Sequence, residues 1–435
     1  MTTRLAQAVR IARHVEGSLN PGQERRSILF RIGIQIVVVL LTLLGMTEVA
    51  LAKRSKMLCV NPDGSNGCFS SVAAAVDTIG ASATKISIEA GFYIENITLS
   101  KGQRVTLEGV GAEPQDVTLD GNNSGSVITV GAGASLTVET LTIADGNALQ
   151  GGAINSAGDL TLESVRILEN FSTGQGGGIF QTAPGKLLVL LSVINANSGG
   201  DGGGIFLDSD GIIDRSTFVF NQATNGGGLL LNSGSLTLTN TLLFDNSADL
   251  GDGGGLNAMN GVITGFNDSF SANQTTDDGA AISVEAGSVT LDDATIIGNQ
   301  SFGTGGGIFN PSNPNGITLE NSLLVNQADS LPDCNGFLIS NGFNLIGDSS
   351  GCTISGDTTG NATGVDPLIN EVACLTTNGL AVPCAQTVSV GSPATHAGDP
   401  KKPNKKGKGG RCVPVDALGT ARHAGACDAG AYQLP

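Results

Sequence analysis

Seven short glycine runs in this chain are each entered by a polar residue: Gln150, Gln175, Asp201, Asn225, Asp252, Asp278 and Thr304. Two chemistries fit such a pattern. A glycine run ahead of apolar residues can cradle phosphate, and a row of carboxylates and amides can hold a hard cation. The phosphate reading fails on its own terms. A Walker loop needs Lys and Ser/Thr after its glycines, whereas "DGGGIF" at 201–206 continues with Ile205 and Phe206. A dinucleotide loop occurs once in its domain, between a strand and a helix. The cation reading depends on what positions the residues. If successive glycine runs stack one above another, Asp252 and Asp278 stand about 5 Å apart, with Asn225 and Asp201 next along. Stacked carboxylates repel, so either one pKa rises or a cation bridges them. Oxygen ligands of this kind suit calcium. Asp201, Asp252 and Asp278 are therefore the candidate metal ligands, and no other cofactor is expected.

The spacing supplies the stack. The runs begin at Gly151, Gly176, Gly202, Gly226, Gly253, Gly279 and Gly305, at intervals of 24 to 27 residues. A second marker keeps step: Asn170, Asn197, Asn221, Asn246, Asn273, Asn299 and Asn326 each follow an apolar residue three places earlier. Between the markers lie alternating segments such as "LTLTN" (236–240), "VTLDD" (289–293) and "ITLEN" (317–321), the pattern of half-buried strands. One such unit cannot bury its apolar face alone, but stacked units share a continuous core. The expected fold is all-β: a single-stranded parallel β-helix of about 10 rungs, some 45 Å long between Lys85 and Asn326. The small residue before each Ile or Leu is expected at a bend too tight for a Cβ. The Asn is expected to stack at another corner, its amide bonding the rungs on either side.

A stack needs closed ends. In "CFSSVAAAVDTIG" (68–80), Val72, Ala75, Val76 and Ile79 fall on one helical face, which predicts a short capping helix. Residues 53–84 are read as this N-terminal cap, 85–330 as the repeats, and 331–435 as terminal rungs and a cysteine-rich cap. The eight cysteines fall as neighbours: Cys59 and Cys68, Cys334 and Cys352, Cys374 and Cys384, Cys412 and Cys427. An even count reads as disulfides in an oxidising compartment, though eight cysteines allow 105 connectivities. Residues 1–52 combine an arginine-bearing region, the apolar run "IGIQIVVVLLTLLGM" and an A-x-A-like end at Ala50 and Ala52. That is an extended export signal, or a membrane anchor through 32–52 if uncleaved. A secreted or cell-surface location is expected, with membrane contact through that segment only.

The charge narrows the partners. The chain carries a formal net charge of −17, with no Lys or Arg from Ser216 to Pro400. Such a surface repels nucleic acid and anionic lipid. The basic run "KKPNKKGKGGR" (401–411) reads as a solvated loop.

The paired "GGAI" and "FxxN" motifs (Phe218 to Asn221, Phe270 to Asn273) resemble the repeats of polymorphic outer-membrane proteins, which implies a right-handed parallel β-helix at a bacterial surface. The entry "SSVAAAVDTI…ISIEAGFYIENITL" is similar to the first rungs of the pectin-lyase-like superfamily. The exit motifs "DCNGFLISNGFNLIGDSSGC", "GVDPL", "GSPATHAGD" and "CDAGAY" resemble the C-terminal region of choice-of-anchor Q proteins, with Thr395-His396 departing from the pattern at the place of Ile-Asp. Many pectin-lyase-like proteins cleave polysaccharides, so the resemblance implies a polysaccharide lyase or glycoside hydrolase as one expectation. The residues answer it poorly. Elimination from uronates wants a grouped Lys or Arg base, and those of the repeats are scattered. Hydrolysis wants paired carboxylates. Asp277-Asp278 lies in a turn without a nearby His-Gly, and Asp292-Asp293, as strand neighbours, would face opposite ways. His396 and His423 lie in the tail without nucleophile-elbow spacing and read as solvated. No catalytic residue is assigned. The expected function is a non-catalytic surface role, structural, adhesive or glycan-binding, with surface polysaccharide or another surface protein as partner.

Overall fold

The structure, a computed structural model, describes residues 56–326, 331–400, 412–422 and 427–434. The export segment 1–52 and the basic run 401–411 lie outside the described residues, as does His423. Among the described residues no helix is long and apolar enough to cross a membrane.

The alternating segments form the expected right-handed parallel β-helix. One turn shows the plan. Ile205–Asp208 lies on the first face, Gly211–Asp214 on the second, Thr217–Val219 on the third, and the short strand Gln222–Ala223 leads into the next glycine corner. Each strand pairs in parallel with its equivalents in the turns before and after. Because the register holds, inward residues stack on their own kind. Ile154, Ile179, Ile205, Leu229, Leu256, Ile282 and Ile308 form one column, none more than 1% exposed. Phe218 and Phe270 stand in another, on the third face.

The third face stacks 12 strands, ten of them between Lys85 and Asn326 as expected and two beyond. The terminal turns, Gly91–Ile94 and Val117–Asp120 at one end and Leu345–Ile346 and Ala362–Thr363 at the other, lack the glycine and Asn markers. The sheet also begins early, since Lys56–Val60 pairs with Ala83–Ile88. The capping helix is present at Val72–Asp77, with Val72, Ala75, Val76 and Ile79 buried. Ser71 caps it by accepting from the Ala74 N–H at 3.2 Å, and the Glu95 carboxylate accepts from Val72 and Ala73, answering the unpaired donors of its first turn. The four disulfides join sequence neighbours: Cys59–Cys68, Cys334–Cys352, Cys374–Cys384 and Cys412–Cys427.

The Asn corner is as expected. Each Nδ2 from Asn170 to Asn299 donates to the Oδ1 of the next Asn at 2.9–3.0 Å. Each backbone N–H donates to that same oxygen. The glycine corner corrects the expectation in part. Before the apolar residue, two copies carry a Cβ, in fully buried Ala153 and Ala281, whereas at Gly204 one would stand 2.5 Å from the Gly228 carbonyl oxygen. The constraint is strictest at the first glycine of each run, which has a left-handed φ in all seven copies. Gly226 has φ 60°, and a Cβ there would stand 2.6 Å from the Leu229 carbonyl oxygen, so only glycine fits.

Beyond residue 364 the chain turns back. The antiparallel hairpin of Ile369–Thr377 and Leu380–Val388 lies along the side of the rod, its second strand against Val193–Asn195, Thr217–Val219, Leu242–Phe244 and Ser269–Ser271. This returning limb is the element that the repeat pattern does not show.

Replacing Asn246 by Ala removes an amide that accepts from Asn221 and donates to Phe218 and Asn273, all buried. We expect a loss of about 3 kcal/mol in denaturant unfolding, against under about 0.5 kcal/mol for the exposed Gln222→Ala.

Candidate functional site

A cleft of about 730 Å³ opens between the rod and the returning limb. Its floor is built by register. Leu190, Asp214 and Thr239 are equivalent strand ends on successive rungs. The residues that follow, Leu191, Arg215 and Asn240, take left-handed φ of 49°, 49° and 52° to turn the corner, and line the cleft beside Ile212. The opposite wall is the hairpin, through Leu375, Thr377 and Pro383, and the turn 415–419. Asp416 fixes that turn, accepting from the Leu418, Thr420 and Gln433 backbone N–H groups at 3.0, 2.6 and 2.9 Å. Asp214 is held as well, by Arg215 Nε at 2.8 Å and Asn240 Nδ2 at 3.1 Å. The lining is thus mostly apolar, with both carboxylates already hydrogen-bonded and the Arg215 guanidinium half exposed at its edge. Such a lining can hold an amphipathic ligand. Among the described residues it offers no His, Lys or Cys.

The polar row ahead of the glycine runs forms a continuous ladder on another face. Gln150 donates to Gln175 at 2.9 Å, and Asn225 donates to Asp201 at 2.9 Å. The Asp252 N–H donates to Asn225, and the Asp278 N–H to Asp252. The proposed ligands do not all meet. Oxygens of Asp252, Asp277 and Asp278 lie within 4.8 Å of one another. Asp201 is two rungs from Asp252, with Asn225 between them. Burial first, and then the Asp277 and Asp278 charges, push the Asp252 carboxyl above its ordinary value.

Asp292 and Asp293 correct a second expectation. The strand ends at Asp292, and Asp293 turns the corner with φ 56°, so strand alternation does not separate them. Both are buried under the limb. Asp293 accepts from the Val413 N–H at 2.7 Å and pairs with the fully buried Arg422 at 3.6 Å. Asp292 accepts from Asn321 Nδ2 at 3.0 Å. Burial first, then the Asp293 charge, push Asp292 up to about 9, and burial pushes Asp293 up to about 6 against the pull of Arg422. This pair docks the tail. His396 is exposed, its N–H donating to Asp428.

The cleft residues escaped the sequence reading because their far wall arrives from about 160 to 200 residues later in the chain. One signal was present: Arg215 is the last basic residue before Lys401.

No family model matches the chain, and no curated protein matches it. Among solved structures, the Azotobacter vinelandii mannuronan C-5 epimerase A-module is 16% identical, with a TM-score of 0.44, covering 67% of this chain and 92% of that one. The rice weevil pectin methyl esterase is 13% identical, with a TM-score of 0.31 and coverage of 67% and 90%. The Escherichia coli ybhc protein is 15% identical, with a TM-score of 0.31 and coverage of 54% and 72%. The fold assignment above rests on the strand register.

A carboxyl raised on folding favours its neutral form in the native state. Its contribution is full below the unfolded value of about 4 and is lost as pH rises through the native value. For Asp292 that window runs to about 9. The melting temperature should therefore fall from pH 5 to pH 9, and Asp292→Asn should flatten that fall and stabilise the protein at pH 8, as read by calorimetry.

Proposed function

We propose that this chain is an exported, non-catalytic β-helix scaffold that binds a glycan or another surface ligand in the cleft between rod and limb. The carrying observation is the cleft itself: preformed and mostly apolar, with each carboxylate held by hydrogen bonds to the protein. A general acid or base must be free to exchange a proton with the substrate, and these two are engaged in holding the walls. Export is supported by the sequence of residues 1–52 and by four disulfides. A bacterial surface role is supported by the resemblance of the repeats to polymorphic outer-membrane proteins and of the exit motifs to choice-of-anchor Q proteins.

The second reading is a pectin-lyase-like polysaccharide lyase or glycoside hydrolase. The observation that favours it is the juxtaposition of Asp252, Asp277 and Asp278, where burial and like charge raise one carboxyl in the manner of acid–base sites.

A glycan array probed with the full chain, run beside reducing-sugar and unsaturated-uronate assays, separates them. The first reading expects binding without turnover, weakened about tenfold by Arg215→Ala. Turnover that disappears in Asp277→Ala and Asp278→Ala overturns it in favour of the second.

A further inference from the structure

The carboxylate corner lies apart from the cleft, and what it holds is independent of what the cleft binds. We propose that Asp252, Asp277 and Asp278, together with the side-chain carbonyl of Asn257, bind one calcium ion.

The geometry suits that ion. Calcium takes oxygen ligands at 2.3–2.6 Å, so two on opposite sides stand about 5 Å apart. The three carboxylates each offer an oxygen within 4.8 Å of the others. Magnesium, at about 2.0–2.1 Å, needs a tighter octahedral cage, and the site has no imidazole or thiolate for a transition metal.

Asn257 points independently to a ligand. On the strand Leu256–Ala258 it faces outward, yet it is fully buried, and its Oδ1 has no hydrogen-bond donor. Its place is beside the corner. The backbone just after Asp252 packs against it, since a Cβ on Gly253 would stand 3.1 Å from the Asn257 Cβ. Its neighbour one rung on, Ser283, donates to Asp252 Oδ2 at 3.4 Å. Asn257 Nδ2 reaches Glu285 Oε1 at 3.5 Å, farther along the strand and away from the corner. The amide nitrogen is thus engaged, and the carbonyl is the end left without a partner beside the corner. A buried carbonyl without a donor is costly, and a cation would answer it.

Among the described residues, the turns around this corner supply no cation. No Lys or Arg occurs from Ser216 to Pro400, while Arg215 pairs with Asp214 and Arg422 with Asp293. Asp201 stays outside the site, bonded to Asn225 two rungs away from Asp252.

The test is calorimetric titration of calcium chloride into the EDTA-dialysed full chain, with thermal unfolding alongside. One binding event is expected, with a melting temperature that rises in calcium and much less in equal magnesium. Asp277→Asn alters an exposed side chain. It should weaken binding about tenfold or more, as expected for loss of a charged ligand, and leave the melting temperature in EDTA unchanged. Asn257→Leu should weaken binding without lowering stability in EDTA, because it removes the orphaned oxygen. Asp201→Asn should bind as the parent does. Absence of binding at millimolar calcium, parental affinity in Asp277→Asn, or an equal loss in Asp201→Asn would overturn the proposal. None of these results bears on the cleft.

Discussion

Every turn of this molecule is hydrogen-bonded to the next, so each side chain meets its own equivalent about 4.8 Å away. That translation governs which residues the corners accept. A side chain that carries both a donor and an acceptor can repeat along the rod indefinitely, and asparagine does so from Asn170 to Asn326. The ladder also shows how such a row ends. The Gly146 N–H gives Asn170 its first bond, and the Asn326 N–H donates to the Asp333 carboxylate. A carboxylate accepts and cannot donate, so it ends the row.

The same translation makes charge difficult to repeat. Where acids do align, the structure answers them locally. Lys85 reaches Glu108 and Glu139, on two different rungs, at 2.7 and 3.3 Å. Where no cation is at hand, as at Asp145 beside Asp120, burial first and then the neighbouring acid raise the carboxyl. The row before the glycine runs avoids the difficulty by interposing Asn225 between Asp201 and Asp252. It fails to do so at Asp252 and Asp278, where Asp277 adds a third acid. The corner stands out against a pattern that elsewhere separates its charges.

Legibility in the sequence followed from repetition. The aliphatic columns, the Asn ladder and the glycine corners each impose one demand seven times, and the spacing of Gly151 through Gly305 displays it. Features used once left no such trace. The terminal turns lack the markers, and the limb makes single contacts such as Asn378 to Ser164 and Ser271 to Gln386. The strand alternation applied to Asp292 and Asp293 broke down because a left-handed corner intervenes. The third place of each run is glycine or alanine, while the first, set by a left-handed backbone, is glycine in all seven copies. Of the carboxylate corner, Asp252 and Asp278 were visible by spacing. Asn257 was not, since its interest lies in a missing partner.

The limb links these separate features. Its docking depends on a charge that the rod carries and cannot neutralise from its own repeats: Asp293 interrupts the corner row of Asn240, Asn267 and Asn321, and Arg422 comes from the tail to meet it. The same guanidinium donates to the Asp428 and Gly430 carbonyls and to Asn267, so it ties the end of the chain to the rod at several points. The segment it secures includes the turn 415–419, which forms one wall of the cleft. Opening that wall requires undocking the tail, and this exposes a buried ion pair to solvent. A ligand in the cleft would bind only the docked form and by mass action would hold the tail in place. Such a ligand and the Arg422–Asp293 pair would thus stabilise the same state of the protein, although the pair lies outside the cleft lining.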